Sequence, residues 1–286
     1  MPLSLFGTLA IEIPWDPNIV EFGSLLLTWH GFFTAGGIFA GVWLALRLGR
    51  IIDYDPDDIY SIALVAVPAG IVGARLLFVI ERWDFYGTHL FDIIKINEGG
   101  ISIWGGILGG ILGGAFYAWS QGFPLLRALD IGGAALLLGQ AIGRFGDVVN
   151  GEHLAIATDL PWGVIYTDPN SPGFAHSVAV GAVHPATSYE LLGDLAILAV
   201  VLVCFYGLFR HRPGLVFFVY LIGYAAMRFF LTYLRVDSAE TLNGLMRVPQ
   251  LVSVAVLLVG VPLAVLVWRR PPITRKPPPD RVLIDH

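Results

Sequence analysis

Between Gly143 and His153 the chain reads Gly-Arg-Phe-Gly-Asp-Val-Val-Asn-Gly-Glu-His. Arg144, Asp147, Asn150, Glu152 and His153 thus fall within about three helical turns. The stretch follows the apolar run Ala134–Ile142, so a guanidinium, two carboxylates, an amide and an imidazole gather where an apolar segment ends. Ionisable groups at the edge of a hydrocarbon slab are costly, and they persist where they bind or react with something. The plainer reading is a loop that snorkels its charges into water. Two further arginines stand inside apolar runs, Arg75 in Gly73-Ala74-Arg75-Leu76-Leu77-Phe78 and Arg228 in Met227-Arg228-Phe229-Phe230-Leu231. An arginine so placed must pair, with Asp130, Glu190 or Asp194 as available carboxylates, or line a wet cavity. Guanidinium is a rigid, permanently charged fork matched to phosphate oxygens. Arg75, Arg144 and Arg228 near one cavity would therefore suit a phosphodiester. His30, His153 and His184 are the proton carriers on offer, because imidazole titrates near neutral pH. Each also has a plain reading as a hydrogen-bonded structural histidine.

Composition says what must hold these groups together. Of 286 residues, 56% are hydrophobic and 14% charged, against a charge content near a quarter in soluble domains. Apolar runs of about 20 residues, the length that crosses a hydrocarbon core of about 30 Å, recur throughout. They are Leu25–Leu48, Ile59–Ile80, Ile101–Trp119, Ala128–Gly146, Tyr189–Leu208, Gly214–Tyr233 and Leu251–Trp268. None shows the polar face of a soluble helix. The expectation is an all-α polytopic membrane protein of about seven transmembrane helices. Net charge is −5, but its distribution is more informative than its sum. The first 25 residues carry Glu12, Asp16 and Glu21 and no Lys or Arg, whereas Arg269, Arg270, Arg275, Lys276 and Arg281 follow the last run. Arg47, Arg50, Arg127, Arg210 and Arg212 fall in alternate loops. The positive-inside rule then puts the N-terminus outside and the C-terminus in the cytoplasm. With that orientation every dense polar motif lies at an outer helix end. The first residues lack a basic stretch and a small-residue cleavage site, so no cleaved signal peptide is expected.

Residues 1–270 read as a single membrane domain, with an extracytoplasmic loop region near 150–187. Its turn signals are Asp159-Leu160-Pro161, Asp168-Pro169-Asn170 and Ser171-Pro172-Gly173, and Trp162 and Tyr166 favour an ordered structure resting on the membrane surface. Residues 271–286 form a proline-rich basic tail, expected to be disordered near anionic headgroups. The one cysteine, Cys204, lies within the fifth run and excludes an internal disulfide or a cysteine metal cluster. In the third run, glycine pairs four residues apart from Gly105 to Gly114 mark a face for close helix packing.

Five blocks, in order, resemble the prolipoprotein diacylglyceryl transferases of bacteria. They are Gly73-Ala74-Arg75, Glu98-Gly99-Gly100-Ile101-Ser102-Ile103-Trp104-Gly105-Gly106, the Gly143–His153 signature, His184-Pro185-Ala186-Thr187-Ser188-Tyr189-Glu190, and Arg228-Phe229-Phe230 with Arg235. The likeness runs from Trp29 to about Gln250. It implies transfer of the diacylglyceryl group of phosphatidylglycerol to the lipobox cysteine of a preprolipoprotein, with release of glycerol phosphate, in the bacterial cytoplasmic membrane. The nucleophile then belongs to the substrate. The implied partners are the lipid, the lipobox-bearing signal peptide and the bilayer, with no nucleic acid, cofactor or metal. Matching positions make Arg144, Arg228 and Glu152 catalytic, and place Arg75, Arg144, Asp147, Asn150, Gly151, His184, Tyr189, Glu190 and Arg235 around the substrate. Arg144 and Arg228 would hold the phosphate, while Asn150 and Glu152 shape the headgroup pocket.

Five positions depart from the family's pattern. His30 replaces the first-span tyrosine, Trp104 a histidine, Asp147 an asparagine, Ala155 the glycine closing the signature, and Thr232 a glutamate. Asn to Asp turns a donor and acceptor into an acceptor-only anion when ionised. The expectation is that His30 serves as the proton carrier, steadied by Asp147. The alternative is a membrane protein on the same scaffold that binds or moves an anionic lipid.

Overall fold

A backbone N–H or C=O left unpaired in hydrocarbon costs several kcal/mol, so apolar segments crossing a membrane close their hydrogen bonds as helices. The structure, a computed structural model, describes residues 10–22, 25–95, 100–241 and 244–272. Glu98 and Gly99 of the second block, and Arg275, Lys276 and Arg281 of the tail, lie outside the described residues. The helices are α1 (Trp29–Ile51), α2 (Pro56–Glu81), α3 (Trp83–Tyr86), α4 (Ile103–Ser120), α5 (Leu125–Asn150), α6 (Phe174–Val180), α7 (Ala186–Val203), α8 (Leu215–Leu231) and α9 (Val248–Trp268). Six are long and apolar enough to cross a membrane: α1, α2, α5, α7 as continued to Leu208, α8 as continued to Leu234, and α9. The expected third span is present as α4, an 18-residue helix whose six glycines dilute its hydropathy below that of the others.

The first span departs from its expected start. Leu25–Thr28 is strand β3, paired antiparallel with β2 (Asn18–Phe22), and the helix begins only at Trp29. A short apolar run does not by itself distinguish strand from helix. The boundary is set by Thr28, whose hydroxyl accepts from the Gly31 N–H at 3.1 Å as a helix cap. The strands are few and short. β1 (Ile11–Ile13) runs parallel to β4 (Val164–Tyr166), and β5 (Glu240–Thr241) pairs with β6 (Met246–Arg247). The region after α5 is ordered by β1 and by bridges from Ala155 to Arg235 and from Ala157 and Val164 to Val183. Its own small core holds Ile13, Ala155, Val164, Tyr166, Val183 and Ala186.

Two helix pairs build the wall around the site. α2 packs chiefly on α4, and α1 on α5. At the α2–α4 crossing the backbones touch: a Cβ on Gly109 would stand 2.5 Å from the Ala69 carbonyl oxygen and 2.9 Å from Gly73 Cα. Without side chains there, the helices gain contact along their whole length. The main core joins Leu48, Leu137, Val201, Val216 and Tyr220, all essentially inaccessible. Large apolar side chains such as Phe39, Leu64 and Leu258 instead face outward, as lipid-facing surfaces do. Asp130 of α5 accepts from the Gly214 and Phe217 N–H groups at 2.7 and 2.8 Å, capping the start of α8. Its carboxylate therefore serves α8 and pairs with no arginine of the polar cluster.

Candidate active site

α5 delivers Arg144, Asp147 and Asn150 on one face, three residues apart, all three buried. Gly146 decides what meets them. A Cβ there would lie 2.6 Å from His30 Cα and 2.9 Å from the Trp29 carbonyl oxygen, so its absence lets the first turn of α1 rest on α5. His30 Nδ1 then reaches Asp147 Oδ1 at 2.5 Å. The helix ends at Gly151, whose φ of 75° is a left-handed conformation that disfavours side chains. The space a Cβ would need is filled by Ser171 Oγ and the Tyr166 ring. That turn returns Glu152 and His153 towards the helix end.

The charges form one connected cluster. Asp147 Oδ2 accepts from Arg144 Nη1 at 2.5 Å, and Arg144 Nη2 donates to Glu190 Oε1 at 2.7 Å. Glu190 Oε2 accepts from Arg228 Nη1 at 2.7 Å, while the Tyr224 hydroxyl lies 3.3 Å from Oε1. Arg235 clasps Asp237 with Nε and Nη2 at 2.9 and 2.7 Å, and its Nη1 stands 3.9 Å from Glu190 Oε2. His153 lies among them, with Nε2 3.1 Å from Arg144 Nη1 and Nδ1 2.8 Å from Arg235 Nη2. Three buried guanidinium groups thus meet the carboxylates of Asp147, Glu190 and Asp237, which is how charge survives out of water. For Asp237, beyond the spanning segment, burial works against its charge. Hydrogen bonds from His153 and Arg235 outweigh that and hold the carboxyl below the ordinary carboxylate range.

Two donors in this cluster are unspent. Arg228 Nε and Arg235 Nη1 are buried and find no hydrogen-bond partner among the described residues. Buried polar hydrogens without acceptors are costly and mark a place where an acceptor belongs. Asn150 donates from Nδ2 to Glu152 Oε1 at 2.9 Å, while its own Oδ1 is likewise buried and unpartnered. His30, Asp147 and Glu152 bring one ligand atom each within 4.8 Å of one another. Below this cluster a cavity of about 850 Å³ opens between α1, α2, α4 and α5. Its head is lined by His30, Arg144, Asp147, Glu152, Arg228 and Arg235, and it descends past Gly37, Ile62 and Leu136 to Tyr54. The whole shape is a charged head on a long apolar sleeve.

The residues expected around the substrate divide in two. His30, Arg144, Asp147, Asn150, Glu152, Glu190, Arg228 and Arg235 come together as described, and Gly151 shapes the turn beneath them. Arg75 does not join them. Its Nε and Nη1 donate to the carbonyls of Ile93 and Gly100 at 2.8 Å and Nη2 to that of Asp92 at 2.5 Å, with the guanidinium beside the Tyr86 ring. It thereby ties the turn at Leu90–Ile94 to α2, because backbone carbonyls left by irregular structure must find donors. His184 and Tyr189 also sit outside the cavity lining. The Tyr189 hydroxyl accepts from Trp162 Nε1 at 2.7 Å and lies 3.4 Å from His184 Nδ1, so both hold the preceding loop to α7. Tyr224 and Asp237 carry no role in the sequence reading, yet both touch the cluster. Tyr224 had one legible signal, its spacing of four residues before Arg228 on the same helix face.

Comparison with known proteins finds relatives along most of the chain. The family model for prolipoprotein diacylglyceryl transferase matches residues 17–267. The phosphatidylglycerol–prolipoprotein diacylglyceryl transferase of Thermosynechococcus vestitus is 35% identical over 241 residues, 84% of this chain and 88% of that protein. The enzyme of the same name from Gloeobacter violaceus is 35% identical over 254 residues, 88% of this chain and 91% of that protein. That of Symbiobacterium thermophilum is 35% identical over 258 residues, 90% and 94% of the two chains.

Proposed function

The chain belongs to the prolipoprotein diacylglyceryl transferase family, and on that premise we propose how its side chains divide the reaction. It is a membrane transferase that moves the diacylglyceryl group of phosphatidylglycerol to prolipoprotein. We place α4 as a seventh span, the N-terminus and the 150–187 loop region outside, and the whole in the bacterial cytoplasmic membrane as one domain. The basic residues Arg47, Arg50, Arg127, Arg210, Arg212, Arg269 and Arg270, at the opposite helix ends from the charged cluster, support this orientation.

The observation that carries the mechanism is the His30–Asp147 contact at 2.5 Å beside two unspent arginine donors, at the head of an apolar cavity. The lipid's acyl chains fill the sleeve and its phosphate meets Arg144 and Arg228, with Asn150 and Glu152 holding the glycerol headgroup. The lipobox thiol gives its proton to His30 Nε2, the ring nitrogen turned away from Asp147. The carboxylate of Asp147 fixes that tautomer and steadies the imidazolium as it forms. The thiolate attacks the diacylglycerol carbon bonded to the phosphate oxygen. The sulfur–carbon bond forms, the carbon–oxygen bond breaks, and its electron pair leaves with glycerol phosphate. Arginines already fixed by Glu190 meet the charge developing on that phosphate without reorganising, which is where electrostatic catalysis has its force.

The test is transfer from phosphatidylglycerol in mixed micelles to a peptide carrying a lipobox cysteine. His30→Gln keeps a hydrogen bond and loses the proton acceptor, so its rate should fall by about 100-fold or more. Retention of most of the wild-type rate across pH 6 to 8 excludes His30 as the base.

A further inference from the structure

We propose that Trp104 and Gln140 form a subsite for the ester carbonyls of the donor lipid, so that the cavity selects a diacyl ester over an ether-linked glycerophospholipid. The proposal rests on the phosphate reading of Arg144 and Arg228 and deepens it by one turn of helix. Both residues line the cavity. Gln140 stands four residues before Arg144 on α5, and Tyr224 four before Arg228 on α8. Trp104, at the start of α4, packs edge-on against Tyr224 with ring centroids 5.4 Å apart. A turn of α-helix rises about 5.4 Å, so Gln140 and Trp104 both lie about one turn inside the arginines assigned to phosphate.

The protein satisfies neither side chain. Trp104 is 2% exposed, and its Nε1 finds no acceptor among the described residues. Nε2 and Oε1 of Gln140 are buried and equally unpartnered. An indole N–H only donates, whereas an amide can present either its donor or its acceptor end. Buried donors left without acceptors are costly, so an acceptor belongs beside them. The walls at this depth are Ile107, Leu136 and Gly139. A charge is expensive in such surroundings, and the acceptor that fits is a neutral one.

A diacylglyceryl group carries neutral acceptors at this depth. Its ester carbonyls follow the phosphate by a few bonds and precede the acyl chains. With the phosphate on Arg144 and Arg228 and the chains in the sleeve, the carbonyls fall level with Gln140 and Trp104. An ester oxygen taken unpaired into an apolar cavity loses its water without return. The indole N–H on one carbonyl and the Gln140 amide N–H on the other restore what both sides lack. An ether oxygen at the same place lacks the carbonyl that these donors meet. Trp104 stands where the family's pattern has a histidine, and its indole keeps a donor there that takes no part in proton transfer. The contacts lie away from the carbon that reacts and do not change as it reacts, so they act on KM rather than kcat.

The test measures transfer to a lipobox peptide from phosphatidylglycerol and from its dialkyl ether counterpart of equal chain length, in mixed micelles. Wild type should use the diester with a kcat/KM higher by about tenfold or more, the difference residing in KM, because two hydrogen bonds are at stake. Trp104→Phe keeps a ring against Tyr224 and removes the N–H, while Gln140→Leu keeps bulk and removes the amide. Each should shrink the diester-to-diether ratio of kcat/KM by about threefold or more, and the double variant should bring it to within about twofold of unity. Damage to folding or packing lowers transfer from both donors together, so a ratio unchanged in both single variants overturns the proposal. A wild type that uses the two donors equally also overturns it, and that result needs no variant to fold. Wild-type kcat/KM in Arg144→Lys and Arg228→Lys, with the ester preference intact, would instead sink the phosphate reading alone.

Discussion

Arg144 serves two masters with two nitrogens, Nη1 on Asp147 and Nη2 on Glu190. An ammonium has three donors on one nitrogen and cannot reproduce the span of that rigid fork. Arg144→Lys and Arg228→Lys should each lower kcat/KM at least about tenfold, because losing one charged hydrogen bond costs about 1.5–3 kcal/mol. Near-normal transfer by both variants would remove the arginines from the phosphate site. Glu152 contrasts with them: it accepts from Asn150, and the positioning role proposed for it predicts that Glu152→Gln is milder than Glu152→Ala. Equal damage by the two would point to a charged role. Asp237 yields a pH prediction. Its carboxyl is held below the ordinary range, first against burial and then by His153 and Arg235. Its stabilising effect is therefore complete above the unfolded value of about 3.9 and drains away as pH falls through and below it. Asp237→Asn should show a shallower fall in Tm between pH 6 and 3 than wild type, and an equally steep fall contradicts the assignment. The identity of these groups was legible, since Arg, His and Glu at an apolar boundary persist chiefly where they bind or react. Their pairing was not. Arg144 meets Glu190 from another helix, His30 meets Asp147 from the far side of the chain, and no local spacing encodes either contact. Arg75 makes the same point: an apolar flank announces an unusual arginine but not that it would donate to three backbone carbonyls.

Helices were legible to within a few residues because each repeats one physical requirement, about 20 apolar residues closing their own hydrogen bonds. Short strands were not, because β1 and β4 pair with each other across more than half of the chain. The glycine pattern of α4 was legible as a packing face, and the α2–α4 crossing turns it into a signed prediction. A methyl on Gly106 would meet Ala74 Cβ at 3.6 Å, an ordinary contact, whereas one on Gly109 would press on the Ala69 carbonyl oxygen at 2.5 Å. Replacing a helical glycine by alanine normally gains about 0.5–1 kcal/mol by restricting the unfolded chain. Gly106→Ala should therefore hold or raise Tm in detergent. Gly109→Ala should lower it by the equivalent of about 1–3 kcal/mol, the usual cost of overpacking. Equal effects at the two positions would mean the helices are not pressed together along this line. Because Gly70, Ala74, Gly106 and Gly110 also border the cavity, Gly109→Ala should raise KM for phosphatidylglycerol more than it lowers kcat.

At the scale of the whole molecule, the placement of charge divides the protein into two ends. Guanidinium groups at one end are matched by carboxylates and enclosed, whereas Arg47 and Arg50 near the end of α1, and Arg210, Arg212, Arg269 and Arg270 beyond α7 and α9, gather at the other, where in the proposed orientation a membrane potential and anionic lipid favour them. An odd number of crossings is needed for the N-terminal strands to share a side with the loop after α5 while the end of α9 lies opposite. In the proposed topology α4 supplies the odd crossing. Its six glycines weaken the apolar signal, but their effect is to fasten it to α2, and a helix so fastened needs less hydropathy of its own to stay in the bilayer. Single cysteines placed in a Cys204→Ala background test this without touching the site. With a membrane-impermeant maleimide on intact cells, Asp159→Cys and Thr88→Cys should label, while His211→Cys and Gln121→Cys should label only after the membrane is opened. All four positions are exposed. Labelling of both Thr88→Cys and Gln121→Cys from outside would reduce the spans to six. The opposite pattern at Asp159 and His211 would invert the protein and put the charged cluster on the cytoplasmic side, where the proposed donor and acceptor would have to meet it from within the cell.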